Sequence, residues 1–304
     1  MKNVINNLYK LFPSELYTID NGFRFFVNDY EYLFLLYNGE VSNLNILADV
    51  SNRLYYKKVY VDTFVPTVLG NLFAEVDGEN YALLRINSSL RDYYNLSDVS
   101  KFNYSLSSYS YNLNIKPWYL AWSDKVDLLE NTISDLNKEY PLLQEIFPYY
   151  VGMAENAISY CKDAFLKENE LLITINHNRV GVDNTFLYLY NPLTFTFDYD
   201  VRDIAEYIKN KFIFHSLDFS EVEELLNNHK FSRTSLMLLF ARLMYPTYFF
   251  DLCKLVLEEE KDESALDKII LKSEEYEDLL NDIYLLIRKY YDIPKIDWLI
   301  RKFS

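Results

Sequence analysis

The side chains able to do chemistry crowd into residues 171–208, LLITINHNRVGVDNTFLYLYNPLTFTFDYDVRDIAEYI. His177 is followed by Arg179 two residues later and by Asn184 seven residues later, with carboxylates at Asp183, Asp198, Asp200 and Asp203. A guanidinium stays protonated in proteins, so Arg179 cannot act as a general base and would repel a divalent cation. The other two histidines, His215 and His229, lie far off in sequence, and no HExxH or CxxC pattern exists, so no metal centre is expected. His177 reads as a histidine that packs its loop. Asp203 reads as a first-turn carboxylate favoured by the helix dipole. Arg242, on an apolar helix, reads as a buried anchor for a carboxylate such as Asp251.

These residues sit in a chain of 304 residues with a formal net charge of −15. That excess of acid argues against nucleic acid, whose phosphates need clustered Lys and Arg, and against an anionic membrane surface. Half the residues are hydrophobic, enough for a sizeable core and against disorder. Only 6 Gly and 8 Pro are present, which disfavours loop-rich β architectures. Cys161 and Cys253 fall in apolar helical surroundings and read as small buried hydrophobes in a reducing, cytoplasmic setting. The N-terminus shows no signal-peptide pattern. The longest apolar stretch, 236–250, is broken by Arg242 and Pro246, so no membrane span is expected.

The pattern that positions the 171–208 segment changes character along the chain. Aromatic-rich runs at 23–27 and 32–37 joined by Asn28–Asp29, and runs at 69–76 and 81–86 around Asp77–Gly78, predict hairpins. Between them, apolar residues at 44, 47, 50 and 54 predict a helix. Residues 87–116 are polar and weakly periodic and read as a connection, most loop-like at 107–110. Beyond it, helices are expected over 124–139, 142–167, 201–211, 220–228, 232–244, 248–259, 274–291 and 296–303, with Pro148 a kink or break. Short strands at 171–175 and 186–190 interrupt them. The acidic run 258–263 reads as a solvated turn. The domains expected are 1–86, a small strand-rich lobe, 87–116, the connection, and 117–304, a helical lobe.

Three further stretches make the chain resemble a known family. VRDIAEYI at 201–208, LLFARLMYPTYFFD at 238–251 and PKIDWL at 294–299, with Trp118, Trp122 and the Asp127–Glu130 run, are similar to signatures of bacterial spore-coat kinase-like proteins of the CotS and YutH type. The wider resemblance is to aminoglycoside and choline kinase-like phosphotransferases, whose loop reads H-x-D with an Asn five residues beyond the Asp. His177 and Asn184 match that loop, and Arg179 stands where its Asp would accept the proton of the attacking hydroxyl. The resemblance implies an α+β, two-lobed kinase-like fold, with a small antiparallel-sheet lobe and a larger helical lobe. No GxGxxG sequence exists, and residues 33–37 hold no Lys to grip phosphate. For the second metal-binding position, an Asp in the family, the candidates are Asn191, Asp198 and Asp200. The reading that follows is a degenerate, non-enzymatic pseudokinase with no cofactor and no phosphoryl transfer. In it, His177, Arg179 and Asn184 are remnants and Asp203 is structural. The resemblance further implies a structural or assembly role in the spore coat, with other coat or assembly proteins as partners. The competing readings are an atypical small-molecule phosphotransferase and a module that binds nucleotide without turnover.

Overall fold

In the computed structural model, residues 1–106, 115–134, 140–167, 171–258 and 260–303 are described. The chain opens with helix α1 (Lys2–Tyr9) and strands β1 (Tyr17–Ile19), β2 (Gly22–Val27) and β3 (Tyr30–Leu36), then helix α2 (Leu44–Tyr56). Strands β4 (Thr63–Phe64), β5 (Ala74–Val76) and β6 (Glu79–Arg85) follow. Next come helices α3 (Leu96–Leu106), α4 (Trp118–Ser134) and α5 (Pro141–Lys167). A strand–turn–strand insert holds β7 (Ile173–His177), the single turn α6 (Phe186–Leu189) and β8 (Phe195–Tyr199). Helices α7 (Arg202–Phe214), α8 (Phe219–Asn228), α9 (Arg233–Met244) and α10 (Thr247–Leu257) lead to α11 (Asp267–Leu271), α12 (Ser273–Arg288) and α13 (Asp297–Phe303).

The chain divides into two compact units. The first comprises 1–94, 104–106 and 183–196, and the second comprises 95–103, 107–182 and 197–304. The first unit carries an antiparallel sheet in the order β1-β2-β3-β6-β4, with β5 also paired to β6. Both expected hairpin turns exist. Asn28 and Asp29 have φ of 49° and 63°, and Asp77 and Gly78 have φ of 54° and 85°, the left-handed pairs that match strand twist. Gly22 is required where β2 meets β3, because a Cβ there would lie 2.1 Å from the Phe34 carbonyl oxygen. One sheet face buries Phe25, Tyr32, Phe34 and Leu83 against Ile5 and Tyr9 of α1. The other buries Leu33, Leu35, Leu84 and Ile86 against Leu187 and Leu193.

That second face explains a correction. Residues 186–190 were expected to be a strand and instead form the α6 turn, because Leu187 packs on the sheet while the Thr185 backbone carbonyl accepts from Tyr188 and Leu189 to open the turn. The strand that pairs with β7 is β8. Likewise only 74–76 of the 69–76 run is strand, and Leu69 is exposed. The expected connection contains α3, and its most loop-like point, 107–110, lies outside the described residues, as do 135–139 of the helix expected over 124–139.

In the second unit α9 is the core. All its residues from Thr234 to Met244 are buried, and α5, α7 and α12 pack against it. The stretch Arg233–Leu257 is long and apolar enough to cross a membrane, yet 83% of its apolar window is buried and the chain breaks between Met244 and Thr247. No break occurs at Pro148: α5 continues through it, with Pro148 exposed. Packing of α5 against α4 and α9 offsets the lost hydrogen bond.

Candidate functional site

The loop after β7 is held from beneath by three residues. Asp203, in the first turn of α7, is buried and accepts from the His177 backbone N at 3.2 and 3.1 Å, while its Oδ2 lies 2.6 Å from His177 Nδ1. The ring of His177 is buried against Phe102, 5.0 Å between centroids. Arg202 donates to the carbonyl oxygens of His177 and Asn178 and pairs with Asp198 at 3.1 Å. Asn176, fully buried, accepts from the Asp203 backbone N at 3.2 Å and donates to the Asp198 and Tyr199 carbonyls. A polar residue buried with its partners satisfied rigidifies what it joins. Here it joins β7, β8 and the start of α7. Neither Asn176 nor Arg202 stood out in the sequence. The only signal was an amide adjoining His177 and a cation adjoining Asp203.

Arg179 projects from this loop with 55% of its side chain exposed and lies 2.8 Å from Asp251 of α10. The same carboxylate accepts from Lys125 of α4 at 2.8 Å. Burial alone would raise the Asp251 pKa, but Lys125 and Arg179 together hold it below the usual carboxylate range. Burial would lower the Arg179 pKa, and Asp251 reverses that. The guanidinium faces the Tyr248 ring, 5.8 Å from its centroid.

Arg242 is buried as expected, but its partner is Glu206, not Asp251. Asp251 is already taken by Lys125 and Arg179. Glu206 Oε1 lies 2.7 Å from Arg242 Nε and 2.9 Å from Lys209 Nζ, and all three side chains are buried. Burial pushes the Glu206 pKa up, yet the two cations outweigh it and hold the acid well below the usual range. Burial pulls Lys209 down to about 8. Arg242 also lies over Trp118 and Trp122, 4.7 and 5.7 Å from their centroids.

Of the loop residues picked from sequence, His177, Arg179, Asp198, Asp200 and Asp203 belong to the second unit, whereas Asp183, Asn184 and Asn191 belong to the first. There Asn184 Oδ1 accepts from Tyr94 at 3.3 Å, and Asn191 caps the 3₁₀ turn Pro192–Thr194. Asp198 is engaged by Trp118 Nε1 at 2.8 Å, its neighbour's backbone N and Arg202, and burial raises its pKa. Among the described residues, no group of three or more His, Cys, Asp or Glu is placed to hold a metal ion.

Residues 2–283 match the family model described as "Spore coat putative kinase YutH". The chain belongs to this family. A relative, the "Endospore coat-associated protein YutH" of Bacillus subtilis strain 168, is 29% identical over 215 residues, 64% of this chain and 63% of the relative's own length. An aminoglycoside phosphotransferase from Alicyclobacillus acidocaldarius has a similar structure, with a TM-score of 0.69 and 11% identity, covering 91% of this chain and 93% of that one. The spectinomycin phosphotransferase APH(9)-Ia in its AMP complex gives a TM-score of 0.60 at 10% identity, over 95% of this chain and 98% of that one. An amicoumacin kinase holding AMP-PNP and calcium gives 0.52 at 10% identity, over 92% of each chain. The two-lobed α+β kinase-like fold is thus established. The expectation of a non-enzyme is corrected by the same comparison. The matching folds are those of named phosphotransferases and kinases, two of them solved with nucleotides, so a non-enzyme cannot be read from one arginine in the loop.

Proposed function

We propose that this chain acts at the spore coat, beside other coat proteins, as an atypical phosphotransferase that moves the terminal phosphoryl group of a nucleoside triphosphate to a small molecule. The coat setting rests on the family's description and on the named relative. The observation that carries the chemical reading is the buried frame of Asp203, Asn176 and Arg202, which fixes the course of the loop bearing Arg179. Such transfer passes through a loose transition state and depends on positioning and charge stabilisation more than on proton removal. Arg179 supplies positive charge where a developing oxyanion needs it. Any metal ion enters with the nucleotide, as part of that substrate.

The test is a thermal-unfolding titration with MgATP, paired with assay of labelled phosphate transfer to a panel of small acceptors. Ligand at a hundredfold excess over Kd stabilises the folded state by roughly 2.7 kcal/mol, a measurable rise in Tm. A rise in Tm with acceptor-dependent transfer supports the reading. Millimolar MgATP that neither shifts Tm nor is consumed contradicts it.

A further inference from the structure

We propose that Asn210 of α7 is a positioning residue for phosphoryl transfer, fixing Arg179 through both its backbone and its side chain. This rests on the phosphotransferase reading. The frame of Asp203, Asn176 and Arg202 grips the loop at His177 and Asn178. Beyond that point Val180 is buried, and Asn210 takes hold of the backbone again: its Oδ1 accepts from the Val182 N–H at 2.8 Å. Arg179 therefore sits between two points of attachment, facing out where Val180 faces in. Gly181 makes the second attachment possible. A Cβ there would stand 3.2 Å from Asn210 Oδ1 and 3.3 Å from its Cγ and Nδ2, so a larger residue would push the amide away from Val182.

The same amide reaches the arginine from the other side. It bonds the Tyr248 hydroxyl, which in turn donates to the Glu206 carbonyl oxygen at 3.5 Å. Tyr248 is buried, and its ring is the one that the Arg179 guanidinium faces. One side chain thus ties the peptide that carries Arg179 to the aromatic surface its charge lies against. In the transfer step an acceptor oxygen bonds to the γ-phosphorus as the bond from that phosphorus to the β–γ bridging oxygen breaks. The electron pair leaves on the nucleoside diphosphate, and a hydroxyl acceptor's proton passes to solvent. Charge on the moving phosphoryl group is stabilised by a cation held in place beforehand. Arginine is long and flexible, and misplacing such a group by about 1 Å costs on the order of 100-fold in rate.

The experiment has two arms on the purified full chain. Hydrogen exchange followed by NMR reads the Val182 amide in the wild type, Asn210→Ala, Asn210→Asp and Gly181→Ala. Asn210→Asp keeps an acceptor for that amide, and Gly181→Ala displaces Asn210 without altering it, so either serves if Asn210→Ala fails to fold. The second arm measures ADP formation from MgATP with the panel of small acceptors, for the same proteins, for Arg179→Gln and for the double variant Arg179→Gln/Asn210→Ala. We expect Val182 exchange to quicken about tenfold in Asn210→Ala, the loss of one hydrogen bond, less in Gly181→Ala and least in Asn210→Asp. In Asn210→Ala kcat should fall about tenfold or more while KM for MgATP stays within about twofold, the mark of an interaction used in the transition state. In the Arg179→Gln background Asn210→Ala should lower kcat no further, because the two residues act as a unit. A merely structural role predicts losses that multiply. Val182 exchange unchanged in all three variants, multiplying losses, or a KM that rises while kcat holds would each overturn the proposal and leave the phosphotransferase reading intact. A wild type that forms no ADP with any acceptor overturns both.

Discussion

Replacing Glu206 by Gln removes the one negative charge between two buried cations. Lys209 and Arg242 lie 2.9 and 2.7 Å from the same oxygen, with little solvent at any of the three side chains. Breaking a buried ion cluster from one side costs about 3–5 kcal/mol, because a charge is left without its partner. The two cations do not share that cost equally. Burial already lowers Lys209 to about 8, so shedding its proton at pH 7 costs only on the order of 1 kcal/mol, which limits its share. Arg242 cannot shed its proton, and its contacts with Trp118 and Trp122 only partly replace the acid. We therefore expect a loss of about 3 kcal/mol at pH 7. The sign with pH follows from Lys209. Its folded pKa lies below its unfolded value of 10.5, so its charged form is the unfavourable one, and the penalty it feels fades as pH rises past 8. The variant should recover roughly 1 kcal/mol between pH 7 and pH 9. All three tryptophans belong to the second unit, so their fluorescence during urea unfolding reports on that unit. A Glu206→Gln midpoint within error of wild type at both pH values would refute the reasoning.

Three other perturbations have defined outcomes. Asp203→Ala removes the carboxylate that accepts from the His177 N–H and pairs with its ring, and should cost about 2–4 kcal/mol in the same assay. It should also abolish any transfer activity, whereas a surface variant such as Glu224→Gln should change neither. Arg179→Gln breaks a half-exposed ion pair, so its midpoint should move by less than about 1 kcal/mol, and by less still at high salt. Asp62 is buried, its Oδ2 has no hydrogen-bond partner, and burial raises its pKa to about 8. The folded state therefore loses stability as pH climbs from about 4 towards 8, and Asp62→Asn should strengthen hydrogen-exchange protection of the first unit's strands at pH 7.5 more than at pH 5.

What the sequence revealed and what it concealed divide by range. Asn28–Asp29 and Asp77–Gly78 announce their hairpins because turn geometry is decided within four residues. The starts of α8 and α9 fall within a residue of the expected 220 and 232, because Asp218 and Ser232 cap their first turns locally. The FLYLY run at 186–190 was misread because its strand-like composition reflects the side it packs against, the Leu33–Ile86 face of the sheet, which nothing nearby in sequence discloses. The partner of Arg242 was misjudged for the same reason. Asp251 and Glu206 are both spaced plausibly, and only the packing of α7 on α9 selects Glu206. In the loop, His177, Arg179 and Asp203 were legible as types. The hold of Asn176 and Arg202 on it, and the Lys125–Asp251–Arg179 group drawn from three separate elements, were not.

The account stands on phosphoryl transfer by a loop that carries arginine in place of a base. The most direct measurement is ³¹P NMR of MgATP incubated with the purified chain and each of a panel of small-molecule acceptors, with the Asp203→Ala protein as control. The account predicts loss of the γ-phosphorus signal, growth of the β-phosphorus signal of ADP and a new phosphorus resonance on the acceptor, all absent with the variant. An ATP spectrum that stays unchanged with every acceptor, or that decays equally with the variant, would contradict it.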